Sequence, residues 1–173
     1  MDAKQIEECI QRHGDQIYGF CCFLTRSCDL ADDLYQESFL VALEDTRTIT
    51  QEMEKRFLIG IAANLWKNQW RKEKRRKELA MPERVEWGRT LCETKEKNPL
   101  DICIGGEEEQ MVIKIVDQLP DRYRTIVLMY YSGQLSTKEI AEELHMSKGT
   151  VTSRLKRGRE KIKKGLEEMG YER

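Results

Sequence analysis

Apolar side chains return every three or four positions along most of this chain, and very little interrupts them. Ile6, Cys9, Ile10, Ile17, Phe20, Cys21 and Leu24 keep that step without a break, with His13 on the same face. The step predicts one amphipathic helix over roughly residues 3 to 26. Only 11 Gly and 3 Pro serve 173 residues, too few turn-formers for a protein built of many hairpins. The expected fold class is therefore all-α.

The same periodicity divides the chain. Asp29 can cap a second helix with Leu30, Leu34, Leu40 and Leu43 inward. The stretch from Glu44 to Glu54 carries three Thr and no apolar period, and reads as a loop. A third helix begins near Lys55, with Phe57, Leu58, Ile61 and Leu65 as its buried stripe. Between Pro82 and Gly106 the periodicity stops, and two of the three prolines and a Gly-Gly pair fall there, which marks a linker. Beyond it Met111, Val112, Ile115 and Val116 share one helical face. Pro120 suits a first turn and Gly133 a C-terminal cap for the helix carrying Tyr123, Ile126, Val127 and Tyr130. Ser136 with Glu139 forms a capping box ahead of Ile140, Ala141 and Leu144, and Ser147 caps a last helix toward Glu168. The expected architecture is two small helical modules joined by an irregular linker at 82–106: a three-helix module over 1–81 and a helix-turn-helix module over 107–173.

No apolar run approaches the ~20 residues a bilayer needs, and no basic-then-apolar leader opens the chain, so a soluble, cytoplasmic protein is expected. The six cysteines, at 9, 21, 22, 28, 92 and 103, include no Cys-x-x-Cys pair and have no His at zinc-finger spacing, so no metal site is expected. Cys9 and Cys21 occupy apolar helical positions and are expected to pack in the core. The competing reading is redox sensing by Cys21, Cys22 and Cys28.

A net charge of -1 conceals strong segregation. Residues 1–54 carry 12 acidic and 4 basic side chains, whereas 55–77 carry 9 basic and 1 acidic, and 148–165 carry 8 basic and 1 acidic. One basic stripe is usually a solvated helix face. Two, each on a helix, fit a protein that meets polyanion at two places, because clustered Lys and Arg bind phosphate by releasing counterions.

Residues Thr137 to Leu155 have the texture of a helix-turn-helix, with small Ala141 allowing a close crossing, Val151 closing the contact and His145 at the turn, where His tolerates the left-handed region better than most. On a wheel of 100° per residue, Val151 and Leu155 face the core. Gly149, Ser153, Lys156 and Arg157 then lie opposite with Thr152 at the flank, available to a major groove. On the third helix the same wheel sets Ala63, Lys67, Trp70 and Lys74 in an outward row beside Trp66. Trp among Lys and Arg suits single-stranded nucleic acid, where bases stack on aromatics. The competing reading packs Trp66 and Trp70 on the linker or the first helix.

Two motifs resemble the extracytoplasmic-function (ECF) group of bacterial sigma factors, minimal members of the sigma-70-like family. Leu24-Thr25 followed by Ala31-Asp32-Asp33-Leu34-Tyr35-Gln36-Glu37-Ser38-Phe39 is similar to the family's second region, whose acidic helix docks on the clamp helices of the largest RNA polymerase subunit. The resemblance implies core-polymerase binding by Asp33, Gln36 and Glu37, which their i, i+3, i+4 spacing puts on one face. Phe57 to Leu65 is similar to the family's Trp-Leu-x-Arg-Ile-Ala-x-Asn-x helix, which reads the promoter −10 element. It implies −10 DNA binding by Asn64, with Lys67, Trp70 and Lys74, and capture of a flipped base by the loop from Glu44 to Glu54. Phe57 stands where the family has Trp, and Gly60 where it has a basic residue, leaving the phosphate contact to another side chain. Leu119-Pro120 through Leu155 resembles the fourth region, and implies −35 DNA binding by Lys148, Thr152, Ser153, Arg154, Lys156 and Arg157, with Arg154 on phosphate.

The resemblance implies a promoter-specificity factor for RNA polymerase. Its partners would be the core enzyme (the clamp helices and the flap of the second largest subunit), promoter DNA and an anti-sigma factor, in some cases membrane-anchored. No cofactor, metal or catalytic residue is implied. An enzyme such as a small nuclease lacks support, with no carboxylate-and-His set, phosphate loop or Gly-rich dinucleotide turn. The runner-up is a stand-alone helix-turn-helix transcriptional regulator that binds duplex DNA without polymerase.

Overall fold

The computed structural model describes residues 1–79 and 107–170, and the expected linker at 82–106 lies outside them. All regular structure among the described residues is helical: α1 (Ala3–Thr25), α2 (Cys28–Glu44), α3 (Glu54–Leu79), α4 (Glu107–Gln118), α5 (Asp121–Tyr131), α6 (Thr137–Glu143) and α7 (Lys148–Glu168), with one 3-10 turn at Gln51–Met53.

α1 opens on a reciprocal cap: Asp2 Oδ1 accepts from the Gln5 amide at 2.8 Å, and the Gln5 side chain accepts from the Asp2 amide at 3.1 Å. It ends on Arg26 in the left-handed region (φ 62°). α2 corrects two expectations. Ser27, not Asp29, is its cap, and Asp29 stands in the first turn, where the helix dipole favours an acid. The inner face is Ala31, Leu34, Ser38, Phe39 and Ala42, while Leu40 and Leu43 are 60% and 44% exposed. The reason is angular. Six and nine residues beyond Leu34 are about 240° and 180° around the wheel.

α3 buries Phe57, Leu58 and Ile61 as expected and half-buries Leu65. It goes further, because Ile59, Gly60, Ala62 and Ala63 are buried too. Ala63, expected to head an outward row, is thus a core residue. Two apolar clusters explain this. One, of Ile6, Cys9, Ile17, Phe39, Phe57, Leu58 and Ile61 with Met1 and Ile49 among others, belongs to the first helical group. The other joins Phe20, Leu24, Leu34, Ile59, Ala62 and Ala63 to Ile126, Met129, Ile140, Leu144, Val151 and Leu155. The two helical groups therefore share a core, and α3 is covered on two sides.

In the second group Pro120 sits just before α5, as its cap residue, rather than inside its first turn. The left-handed residue after α5 is Gln134 (φ 59°), one beyond the expected Gly133. The Ser136–Glu139 box forms, with the Ser136 amide donating to Glu139 at 2.8 Å. Ser147 caps α7, and His145 takes the left-handed turn at φ 52°. Ala141 is buried, and α7 crosses α5 closely at Gly158. A Cβ there would stand 2.7 Å from Val127 Cγ2.

Cys9, Cys21 and Cys22 are buried free thiols. Burial pushes Cys21 up to about 12, and burial followed by the Glu54 carboxylate pushes Cys9 to about 11, so both stay protonated and pack as small hydrophobes. Cys28 is disulfide-bonded. No described helix is long and apolar enough to cross a membrane.

Candidate nucleic-acid interface

α7 presents the face the wheel anticipated. Val151 and Leu155 turn inward, while Lys148, Gly149, Thr152, Ser153, Lys156 and Arg157 are exposed. Arg154 is half-buried at the edge, its Nη1 3.8 Å from Met146 Sδ. The Arg157 guanidinium near the Tyr123 hydroxyl holds that hydroxyl below its ordinary pKa, against the effect of burial. Arg159, absent from the sequence reading, donates from Nε to the Tyr131 hydroxyl at 2.9 Å and stacks 5.0 Å over the Tyr130 ring. Its signal was its place two residues beyond Arg157 on a basic helix, but only the crossing of α5 shows that it is tethered.

The outer face of α2 carries Asp33, Gln36 and Glu37, all exposed. Gln69 of α3 donates to Glu37 at 3.3 Å, and Tyr18 of α1 donates to the neighbouring Asp32 at 2.7 Å. The face is thus braced at its edges while Asp33, Gln36 and Glu37 stay exposed to solvent.

The loop before α3 is tied down by one fork. Arg47 reaches both Asp45 oxygens, Nε at 3.0 and 3.1 Å and Nη2 at 2.8 Å, and its guanidinium lies 4.7 Å over the Phe57 ring. The Arg47 hydrogen bonds hold the Asp45 carboxyl down at about 2. Ile49 buries itself beneath the loop.

On α3, Lys67 is half-buried, as is Trp66, which packs against the shared cluster with its Nε1 buried and unpartnered. Trp66 thus packs inward on that shared cluster. Trp70 and Lys74 follow on the same helix, their side chains outside the described residues. Asn64 donates its side-chain amide to the Gly60 carbonyl at 3.0 Å and to the Glu143 carbonyl of α6 at 2.8 Å. One residue the sequence reading missed stands on the same row. Arg56, two four-residue steps before Asn64, meets Glu142 at 2.6 Å, Glu143 at 2.8 Å and Glu139 at 3.6 Å. Burial opposes the charge on Arg56, but the Glu143 and Glu142 contacts outweigh it and hold the guanidinium above its ordinary pKa. The spacing 56, 60, 64 was the available signal.

An open apolar groove of about 410 Å³ lies between α4, α5 and α7, lined by Val112, Val116, Leu128, Tyr131 and Ile162 together with Phe23 of α1. Arg159 and Lys163 also line it. His13 is half-buried with Nδ1 unpartnered, and His145 is exposed in the turn. Among the described residues no His, Cys, Asp and Glu gather in a group that could hold a metal. The arrangement offers exposed cations on α7, the Asn64 amide and an apolar groove.

Both helical groups match known proteins. Residues 9–76 match the model of Sigma-70 region 2, and residues 109–162 that of Sigma-70, region 4. The chain is 28% identical over 174 residues to the ECF RNA polymerase sigma factor SigW of Bacillus subtilis, covering 97% of this chain and 92% of that protein. It is 27% identical to SigM of the same organism, over 91% of this chain and 93% of SigM. In fold it is similar to the sigma factor RpoE of Bartonella quintana, solved in complex with the anti-sigma factor NepR, with a TM-score of 0.69, 17% identity and coverage of 95% of this chain and 98% of that one. A stand-alone regulator would carry no polymerase-docking region ahead of its helix-turn-helix. With α1–α3 matching region 2 and α4–α7 region 4, the chain belongs to the ECF group of sigma-70 factors and directs RNA polymerase to promoters.

Proposed function

We propose that residues 1–81 dock on core polymerase and read the −10 element, that residues 107–173 read the −35 element, and that 82–106 connect them through the enzyme. Asp33, Gln36 and Glu37 meet the clamp helices of the largest subunit. Asn64, Lys67, Trp70 and Lys74 face the −10 strand, and the loop from Glu44 to Glu54 takes the flipped base. Lys148, Thr152, Ser153, Lys156 and Arg157 enter the −35 major groove with Arg154 on phosphate. The apolar groove under α5 and α7 receives the flap of the second largest subunit.

The observation that carries this reading is the separation of surfaces. An exposed acidic row on α2 suits a protein partner through charge-assisted bonds, while a cationic row on α7 opposite Val151 and Leu155 suits a groove of phosphates and base edges. Such a factor acts in the cytoplasm, is not itself a catalyst, and is held in check by an anti-sigma factor, as RpoE is bound by NepR in its complex. The direct test is reconstitution with core RNA polymerase and a library of duplex promoters. Initiation that depends on this chain and selects common −10 and −35 sequences is the expected result; no association with core enzyme would remove the proposal.

A further inference from the structure

Gly60 lies in the second turn of α3, inside a helix that a glycine weakens relative to alanine. Its reason is above it: a Cβ at Gly60 would stand 2.5 Å from Glu143 Oε2 and 3.0 Å from Glu143 Cβ. Gly60 is therefore the seat on which α6, the first helix of the helix-turn-helix, rests against α3. On either side of that seat the contacts are polar and specific. Arg56 is met by the carboxylates of Glu139, Glu142 and Glu143, and Asn64 gives its amide to the Glu143 carbonyl. Lys55 adds a bond to Gln134 at 3.2 Å.

The groups arrayed on α6 resemble the surface of a nucleic acid strand. Carboxylate oxygens surround a guanidinium as phosphate oxygens would, and a carbonyl acceptor takes the amide that would otherwise meet a base edge. Trp66, which could stack on a base, is turned into the shared core with its Nε1 unpartnered.

We propose that α6 is an intramolecular lid that occupies the strand-reading face of α3 by imitating nucleic acid, and that Arg56 is the backbone-phosphate contact of that face. The inference rests on the reading of α3 as the −10 helix. In the free chain Asn64 and Arg56 are engaged by Glu143 and its neighbours, so the −10 face becomes available only when α4–α7 move away. Docking of the two halves at separate places on polymerase and DNA supplies that separation, which couples promoter reading to assembly and suppresses binding by the factor alone.

The test uses the full chain, small-angle scattering for its radius of gyration, and fluorescence anisotropy with a random-sequence 12-nucleotide single-stranded DNA at low salt. Glu142→Gln with Glu143→Gln keeps shape and removes the charges, and Gly60→Ala acts independently through sterics while raising helix propensity. Both are expected to enlarge the chain and to raise oligonucleotide affinity about tenfold, the gain from freeing a face that is open about a tenth of the time. Arg56→Gln is expected to open the chain with no gain, because it removes the lid's anchor and the phosphate contact together. Wild-type size and affinity in both lid variants would overturn the lid. A gain in Arg56→Gln equal to that of the double variant would overturn the assignment of Arg56. Opening without any gain in the lid variants would overturn α3 as the strand reader, a failure distinct from that of the lid.

Discussion

Arg124 Nη1 of α5 donates to the Leu24 carbonyl of α1 at 2.9 Å, across 100 residues of sequence. Its Nη2 reaches the Phe23 carbonyl, and Asp117 lies 3.4 Å away and is shared with Arg26. A guanidinium 1% exposed thus closes the carbonyl end of α1, where the helix dipole favours a cation. Burial, and next the Arg26 charge, pull Arg124 down to about 10, far enough above neutrality to keep it charged. Arg124→Met keeps the stem and strands two buried carbonyls, while Asp117 retains Arg26. A loss of about 2–3 kcal/mol in denaturant unfolding of the full chain is expected, with helix content unchanged. An unchanged midpoint would show that the carbonyls find other donors.

The acidic row of α2 points to solvent, so its removal leaves packing alone. Asp33→Ala, Gln36→Ala and Glu37→Ala combined should preserve helicity and weaken core-polymerase binding, each charged contact contributing about 1.5–3 kcal/mol. Undiminished affinity in a co-sedimentation or anisotropy titration would exclude this face.

On α7 the two arginines should separate by kind of contact. Arg157→Ala is expected to flatten −35 preference, a bidentate base contact discriminating by about 1–3 kcal/mol. Arg154→Ala should weaken binding to all sequences alike and lower the salt slope by about one phosphate. Because the Arg157 guanidinium lies near the Tyr123 hydroxyl, Tyr123→Phe is expected to alter the same −35 preference without touching α7. Holoenzyme binding to a −35 substitution series at two salt concentrations reads all three, and reversed profiles for the two arginines would mean that α7 enters the groove rotated.

Asn64→Ala should lower initiation from duplex promoters, with the loss concentrated at one −10 base. Transcription across a −10 substitution series checks it. Wild-type activity on every member would place that contact elsewhere on α3.

The Asp45–Arg47 fork makes the loop before α3 sensitive to acid. The folded pKa of Asp45, about 2, lies below that of a free aspartate. Its contribution is therefore complete above pH about 4 and is lost as the pH falls through about 2. Carboxyl NMR titration of Asp45 should show the depressed midpoint, and Arg47→Gln should return it to the ordinary value.

The helices were legible because their signals are local. Asp2 with Gln5, Ser136 with Glu139, Ser147 and the 3.6-residue apolar period each act within one turn, so the chain alone specifies where most helices start, and that Val151 and Leu155 turn away from a cationic face. Even there, competition between neighbours escaped it: Ser27 outdid Asp29 as a cap, and Leu40 and Leu43 slipped off the inner face. Asn64 was legible as a residue type in a motif, but its partner was not. Why a glycine stands at position 60 inside α3 and what Arg56 touches depend on α6, some 80 residues away in sequence, and Ala63 is a core residue because of a cluster drawn from both helical groups. Those contacts arise from packing two amphipathic groups whose remaining apolar faces, Leu24 and Ala62 on one and Ile126 and Ile140 on the other, leave water only by meeting each other. Hydrophobic burial is non-directional, so periodicity shows that a face must be covered and only the assembled fold selects what covers it.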